Sequence, residues 1–199
     1  WFVWGGSIAT IGAFGCAPAE TEETGLYERE EVAQTQQPIQ GGYTDDGDLN
    51  VVGIYHFNVG AQCTGSLIAP NMVLTARHCV SDLVGEAGGG GVICSETSGT
   101  NPWSVGGFGV TTVTNMYNAD YSDFVGVIEV ITTTGDDMIC GADQAILILE
   151  GNFDPKQVAP LVPRVDSKLG PGEEYYAIGY GQSSDGDYNS SGIRRRRDG

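Results

Sequence analysis

The chain of 199 residues carries 26 acidic and 9 basic side chains, a formal charge of −17. Nucleic acid and anionic membrane surfaces repel such a polyanion, so neither is expected as a partner, and the charge itself reads as solubility. Hydrophobic residues at 40% exclude a wholly disordered chain, and 31 glycines amid many turn residues favour short strands over long helices.

Residues 1–15 form an uncharged, largely apolar run that is too short for a stable membrane helix. The run reads as the core of a secretory signal. It ends in Ala13-Phe14-Gly15-Cys16, which resembles a bacterial lipobox, where the cysteine is diacylated and becomes the mature amino terminus. An ordinary signal peptide or a buried cysteine is the alternative for Cys16. Residues 16–38 read as an acidic linker or propeptide, with Glu20, Glu22, Glu23, Glu28, Glu30 and Glu31 followed by Gln34, Gln36, Gln37 and Pro38. A short solvated helix is the other reading of this stretch.

From Ile39 the texture changes. Val51 to Asn58, Gln62 to Ala69, Met72 to Ala76, Val105 to Thr114, Phe124 to Thr132, Ala145 to Glu150 and Glu174 to Tyr180 are predicted strands. Turn clusters separate them: Tyr43 to Asp48, Pro70-Asn71, Gly88 to Gly91 and Thr134 to Asp137. The spacing predicts an antiparallel barrel or sandwich. Among the five cysteines no C-x-x-C pair occurs, which argues against a zinc ribbon or a thioredoxin-like site. Setting Cys16 aside leaves Cys63, Cys79, Cys94 and Cys140, an even set able to form two disulfides. Asp45, Asp46 and Asp48 lack a recognisable calcium-loop spacing, so no metal and no cofactor is expected.

The motif with most chemistry in it is Leu74-Thr75-Ala76-Arg77-His78-Cys79, preceded by Cys63-Thr64-Gly65-Ser66-Leu67-Ile68. Read alone, His78 is equally an ordinary half-buried histidine. The whole stretch resembles the trypsin/chymotrypsin family of serine endopeptidases, in its exported bacterial type. The resemblance implies that Cys63 and Cys79 bridge and that His78 is the general base. Arg77 stands where the family commonly has Ala, and is expected on the solvent side.

Cys140-Gly-Ala-Asp143-Gln-Ala-Ile-Leu-Ile-Leu149 is similar to the family's segment bearing the aspartate that orients the histidine, which implies that role for Asp143. A carboxylate opening an apolar strand needs a partner when buried, though capping a turn is the plainer reading. Asp120, Asp123, Asp136 and Asp137 sit in polar loops and are poorer candidates. Pro38-Ile39-Gln40-Gly41-Gly42 resembles the family's activation site, which makes Ile39 the implied new amino terminus; a Gly-Gly turn is the alternative. Tyr176-Ala-Ile-Gly179-Tyr180-Gly181 is similar to a strand following the family's interbarrel crossover. The stretch from His78 to Asp143 is longer than the family usually shows, and a Cys94–Cys140 disulfide would close this insertion.

The resemblance implies an all-β fold of two antiparallel six-stranded barrels over residues 39–199, the first complete and the second partial. It implies a secreted or envelope-bound monomer, lipid-anchored at Cys16, that acts on protein or peptide substrates. The family's G-D-S-G-G nucleophile motif does not occur in these residues, so the chain reads as truncated before the catalytic serine and inactive as written. Ser183, Ser184, Ser190 and Ser191 look like loop residues. A half-built second barrel would expose strand edges, so poor solubility is expected. An inactive exported binding protein on the same scaffold, or an unrelated β-rich surface lipoprotein, is the rival. The run Arg194 to Arg197 reads as a solvated loop or strand, or else as a processing or anion-binding tail.

Overall fold

The computed structural model describes residues 39, 41–86, 92–133, 137–168, 170–184 and 187–199. The signal-like run, Cys16, the 16–38 linker, Gln40, Gly88 to Gly91 and Thr134 to Asp136 lie outside the described residues.

Eleven strands are formed among the described residues: β1 (Tyr43–Thr44), β2 (Val51–His56), β3 (Ala61–Ala69), β4 (Met72–Thr75), β5 (Leu83–Val84), β6 (Ser98–Gly99), β7 (Phe108–Thr111), β8 (Val125–Thr132), β9 (Ala145–Leu149), β10 (Tyr176–Gly179) and β11 (Arg195–Asp198). Six of them close a barrel in the order β2-β3-β4-β9-β8-β7, every pairing antiparallel. Alternation fills its interior. Along β9, Ala145, Leu147 and Leu149 are buried while Ile146 and Ile148 between them are half-exposed, the period of two that a barrel wall demands. Val52, Ile54, Leu67, Val73, Val110 and Val127 complete the core.

The connections follow from the turn residues. Pro70-Asn71 is a two-residue turn closing the β3–β4 hairpin at the Ala69–Met72 pair. Gly60, at φ +70°, ends the β2–β3 loop in a left-handed conformation open to glycine. Gly65 has a different reason: a Cβ there would overlap the Val73 side chain inside the barrel.

The predicted strand Val105 to Thr114 is shorter in the structure. Val105–Gly107 forms a 3-10 turn, and only Phe108–Thr111 joins the barrel. The His56 ring presses on Gly107, leaving no room for a side chain.

β1, β11 and β10 form a three-stranded antiparallel sheet with β11 in the middle, the part of a second barrel that these residues supply. Arg195–Asp198 is a strand, one of the readings the sequence offered, but the run is not solvated throughout. Arg194 has no exposed surface. Its guanidinium donates to the backbone oxygens of Asp45 (3.0 Å), Val51 (3.2 Å) and Thr112 (3.0 Å) and to the Tyr180 hydroxyl (3.0 Å), and it lies 3.2 Å from the Asp45 carboxylate. Asp45 and Tyr180 flank the sheet, while Val51 and Thr112 belong to or border the barrel, so one side chain ties the two together. Tyr180 adds a bond from its hydroxyl to the Val113 carbonyl (2.9 Å). Arg196 stacks on Tyr176 at 3.8 Å and pairs with Asp48 and Asp198, each at 2.8 Å.

Candidate active site

Barrel register brings His78 and Asp143 together. β4 and β9 are antiparallel neighbours with Thr75 opposite Ala145. His78 lies three residues beyond Thr75 and Asp143 two residues before Ala145, so both leave the barrel at the same end of adjacent strands. His78 sits in a 3-10 turn, Arg77–Cys79. Cys79, the next residue, is disulfide-bonded to Cys63 on β3, with Cα atoms 5.9 Å apart. The turn is therefore fastened to the barrel wall within one residue of the imidazole.

The Asp143 carboxylate holds His78 at two points. Oδ2 lies 2.8 Å from the ring Nδ1, and Oδ1 accepts the His78 backbone N–H at 2.9 Å. A carboxylate only accepts, so Nδ1 carries the proton and Nε2 is the basic nitrogen of the neutral ring. The His78 side chain is about half exposed, and that of Asp143 less so. The hydrogen bond to Asp143 raises the histidine above its ordinary pKa, burial opposes this, and the carboxylate's charge adds to the rise. Burial pushes Asp143 up, but the bonds from the His78 ring and backbone, the histidine's charge and the Arg77 backbone together leave it below its ordinary value. The result is a ring fixed in one tautomer and made more basic, with the charge that would form on it already neutralised.

Cys94 and Cys140 are also bonded, with Cα atoms 5.1 Å apart. Cys140 belongs to the short helical turn Ile139–Ala142 that delivers Asp143, and Gly141 within it has φ +91°. Cys63, Cys79 and His78 put two sulfurs and a ring nitrogen within 4.8 Å of one another, but the disulfide uses both sulfurs and leaves no thiolate for a metal.

The Ile39 backbone N–H donates to the Gln182 carbonyl at 2.8 Å, three residues beyond the end of β10. Ser190 Oγ accepts from the Ser183 N–H (2.9 Å) and donates to the Asp187 carbonyl (2.6 Å), which makes it part of the loop's own bonding.

Arg77 is a correction. It was expected on the solvent side and is 3% exposed. Its guanidinium donates to Asp137 (2.7 Å), Gly99 O (3.2 Å) and Thr100 O (3.3 Å). Its carboxylate partner is 60 residues away in the chain, so no local pattern announced it. The one available signal was a cation set between Ala76 and His78, two residues before a cysteine.

The sequence matches the family model Trypsin over residues 28–195, most of the chain. The protein belongs to the trypsin family. No curated protein matches it. The closed barrel and three-stranded sheet accord with the double β-barrel of trypsin-like proteins, and membership makes a peptidase, acting on proteins, the coarse functional class.

Proposed function

We propose that the protein is a serine-type endopeptidase in which His78 is the general base and Asp143 the residue that orients it. The two-point hold of the Asp143 carboxylate on His78 carries this reading. A serine Oγ would attack the scissile carbonyl carbon while His78 Nε2 takes its proton. The tetrahedral intermediate then collapses, the C–N bond breaks, and the imidazolium returns the proton to the departing amine. Water, deprotonated in turn by His78, cleaves the acyl-enzyme and restores the serine. Asp143 stays ionised throughout, stabilising the imidazolium. The proposal assigns the nucleophile to none of Ser183, Ser184, Ser190 and Ser191, and no G-D-S-G-G occurs in these residues.

The reading extends to location. Two disulfides fit an oxidising compartment. Residues 1–15 would serve as the export signal, Cys16 as the lipid attachment and residues 16–38 as the spacer to a protease domain starting at Ile39. The enzyme would act as a monomer on proteins or peptides, without a cofactor.

The test begins with the nucleotide sequence beyond the Gly199 codon in all frames. A G-D-S-G-G codon run is expected there, and the whole gene product is expected to bind a fluorophosphonate probe, with labelling lost in His78→Ala. A gene without the motif whose product stays unlabelled overturns the proposal, in favour of an inactive exported binding protein on the same scaffold. Palmitate labelling that disappears in Cys16→Ala tests the anchor; an unlabelled wild type removes it.

A further inference from the structure

The strongest unexplained feature beside the His78–Asp143 pair is the buried cation one residue before the histidine. Burying a guanidinium is costly unless its donors are met. Here one terminal nitrogen, Nη2, lies within hydrogen-bond distance of a carboxylate and two carbonyls. β6 is shaped for it: a Cβ on Gly99 would lie 2.5 Å from Arg77 Nε and 2.9 Å from Cδ. What Arg77 holds is the segment that delivers Asp143.

That segment, residues 137–143, has little rigidity of its own. Its helical turn spans four residues, and Cys140 and Gly141 within it have non-helical backbones. Its order comes from outside. The Asp137 carbonyl accepts from Gly99 N–H (2.8 Å), and Ile139 N–H donates to the Thr97 carbonyl (3.0 Å). The Cys94–Cys140 disulfide joins it to the stretch before β6. The Arg77–Cys79 turn acts at both ends: the Arg77 guanidinium grips Asp137, and the His78 backbone N–H bonds the Asp143 carboxylate.

We propose that Arg77 is a positioning residue, which fixes the Asp143 carboxylate against the His78 ring by holding the Asp137 end of the 137–143 segment from the turn that carries His78. This rests on the reading of His78 and Asp143 as a catalytic pair. Asp137 and Gly99 are parts of the same device, one as the anchor and the other as the space the guanidinium passes through.

The experiment is nitrogen-15 NMR titration of the 199-residue chain, which has only two histidines, His56 and His78. Wild type, Arg77→Met, Arg77→Lys, Asp137→Asn and Cys94→Ala/Cys140→Ala are compared, with thermal unfolding followed in parallel. In Arg77→Met the low-field Nδ1–H signal of His78 is expected to disappear, and its titration to fall back to the ordinary value of about 6.5. The sign is diagnostic. Removing a nearby positive charge by itself raises a histidine's pKa, so a fall reports the lost carboxylate contact.

Arg77→Lys keeps the charge without the fork, so an intermediate titration is expected. Asp137→Asn spares the buried volume, because the Asp137 side chain is 71% exposed, and so folds even if Arg77→Met does not. It should also lose the Nδ1–H signal, and should do so at high salt, where a through-space effect from an exposed charge is screened. Variants that melt earlier while His78 keeps its signal and titration overturn the proposal, since Arg77 would then be a strut alone. A wild type in which His78 already titrates ordinarily, with no Nδ1–H signal, removes the catalytic pair and with it the proposed function. A normal pair in a product that never reacts with the serine probe removes the enzymatic reading and leaves the positioning intact.

Discussion

At the scale of single residues, the His78–Asp143 pair makes stability depend on pH in a stated direction. The histidine's folded pKa is raised, so its contribution is complete below its unfolded value of about 6.5 and is lost as pH rises through the folded value. Asp143 is depressed, so its contribution is complete above about 3.8 and is lost as pH falls through the folded value. The two windows overlap in mildly acidic solution. Asp143→Asn should therefore lower the unfolding midpoint most between about pH 4 and 6.5, and the gap should narrow on either side; a gap independent of pH would contradict the pairing. Arg194 provides the larger effect. Arg194→Met strands the buried Asp45 carboxylate and several carbonyls, a loss of about 3–5 kcal/mol by urea unfolding. His78 and Asp143 were legible because each sits in a short motif of distinctive residue types. The roles of Arg77 and Arg194 were not, because burial of a cation depends on acceptors that arrive from distant parts of the chain, Asp137 in one case and Asp45 in the other.

At the scale of elements, strands with a clean apolar period stood out and those without it did not. β2, β3, β4, β8 and β9 lie within a residue or two of where Val, Ile and Leu placed them. β1, β5 and β6 have two residues each and make sense only through their partners, while β11 is the arginine run itself. Leu147 has no exposed surface at the centre of β9, between β4 and β8, so Leu147→Ala should cost about 2–5 kcal/mol in urea. The disulfides should differ in weight. Cys94 and Cys140 are 46 positions apart and Cys63 and Cys79 only 16, so loop-closure entropy assigns about 4 and about 3 kcal/mol respectively. Paired-alanine variants compared by unfolding midpoint check that order, and the reverse order would mean that native strain or residual structure, not chain entropy, decides.

At the scale of the whole molecule, composition foretold short strands over long helices, and the family resemblance foretold one complete barrel and part of a second. Composition could not show that the sheet and the barrel share a polar bolt at Arg194, Asp45 and Tyr180. The surface combines a charge of −17 with exposed apolar side chains, among them Val162, Val165, Tyr175 and Tyr176, the last on the edge strand β10. Mutual repulsion should keep copies apart at low ionic strength, and light scattering should rise with added salt as that repulsion is screened; scattering that falls with salt would point to charge-driven contacts. The arginine run has a further consequence for handling the protein. To an arginine-specific endoprotease, Arg194 to Arg197 is the most inviting stretch in the sequence. In the fold Arg195 and Arg196 are paired with β1 on one side and β10 on the other, and Arg197 with β10, so the stretch cannot enter a cleft that needs a free extended segment. Survival of that stretch under limited digestion thus becomes a quick assay for whether any preparation or variant has assembled its second sheet.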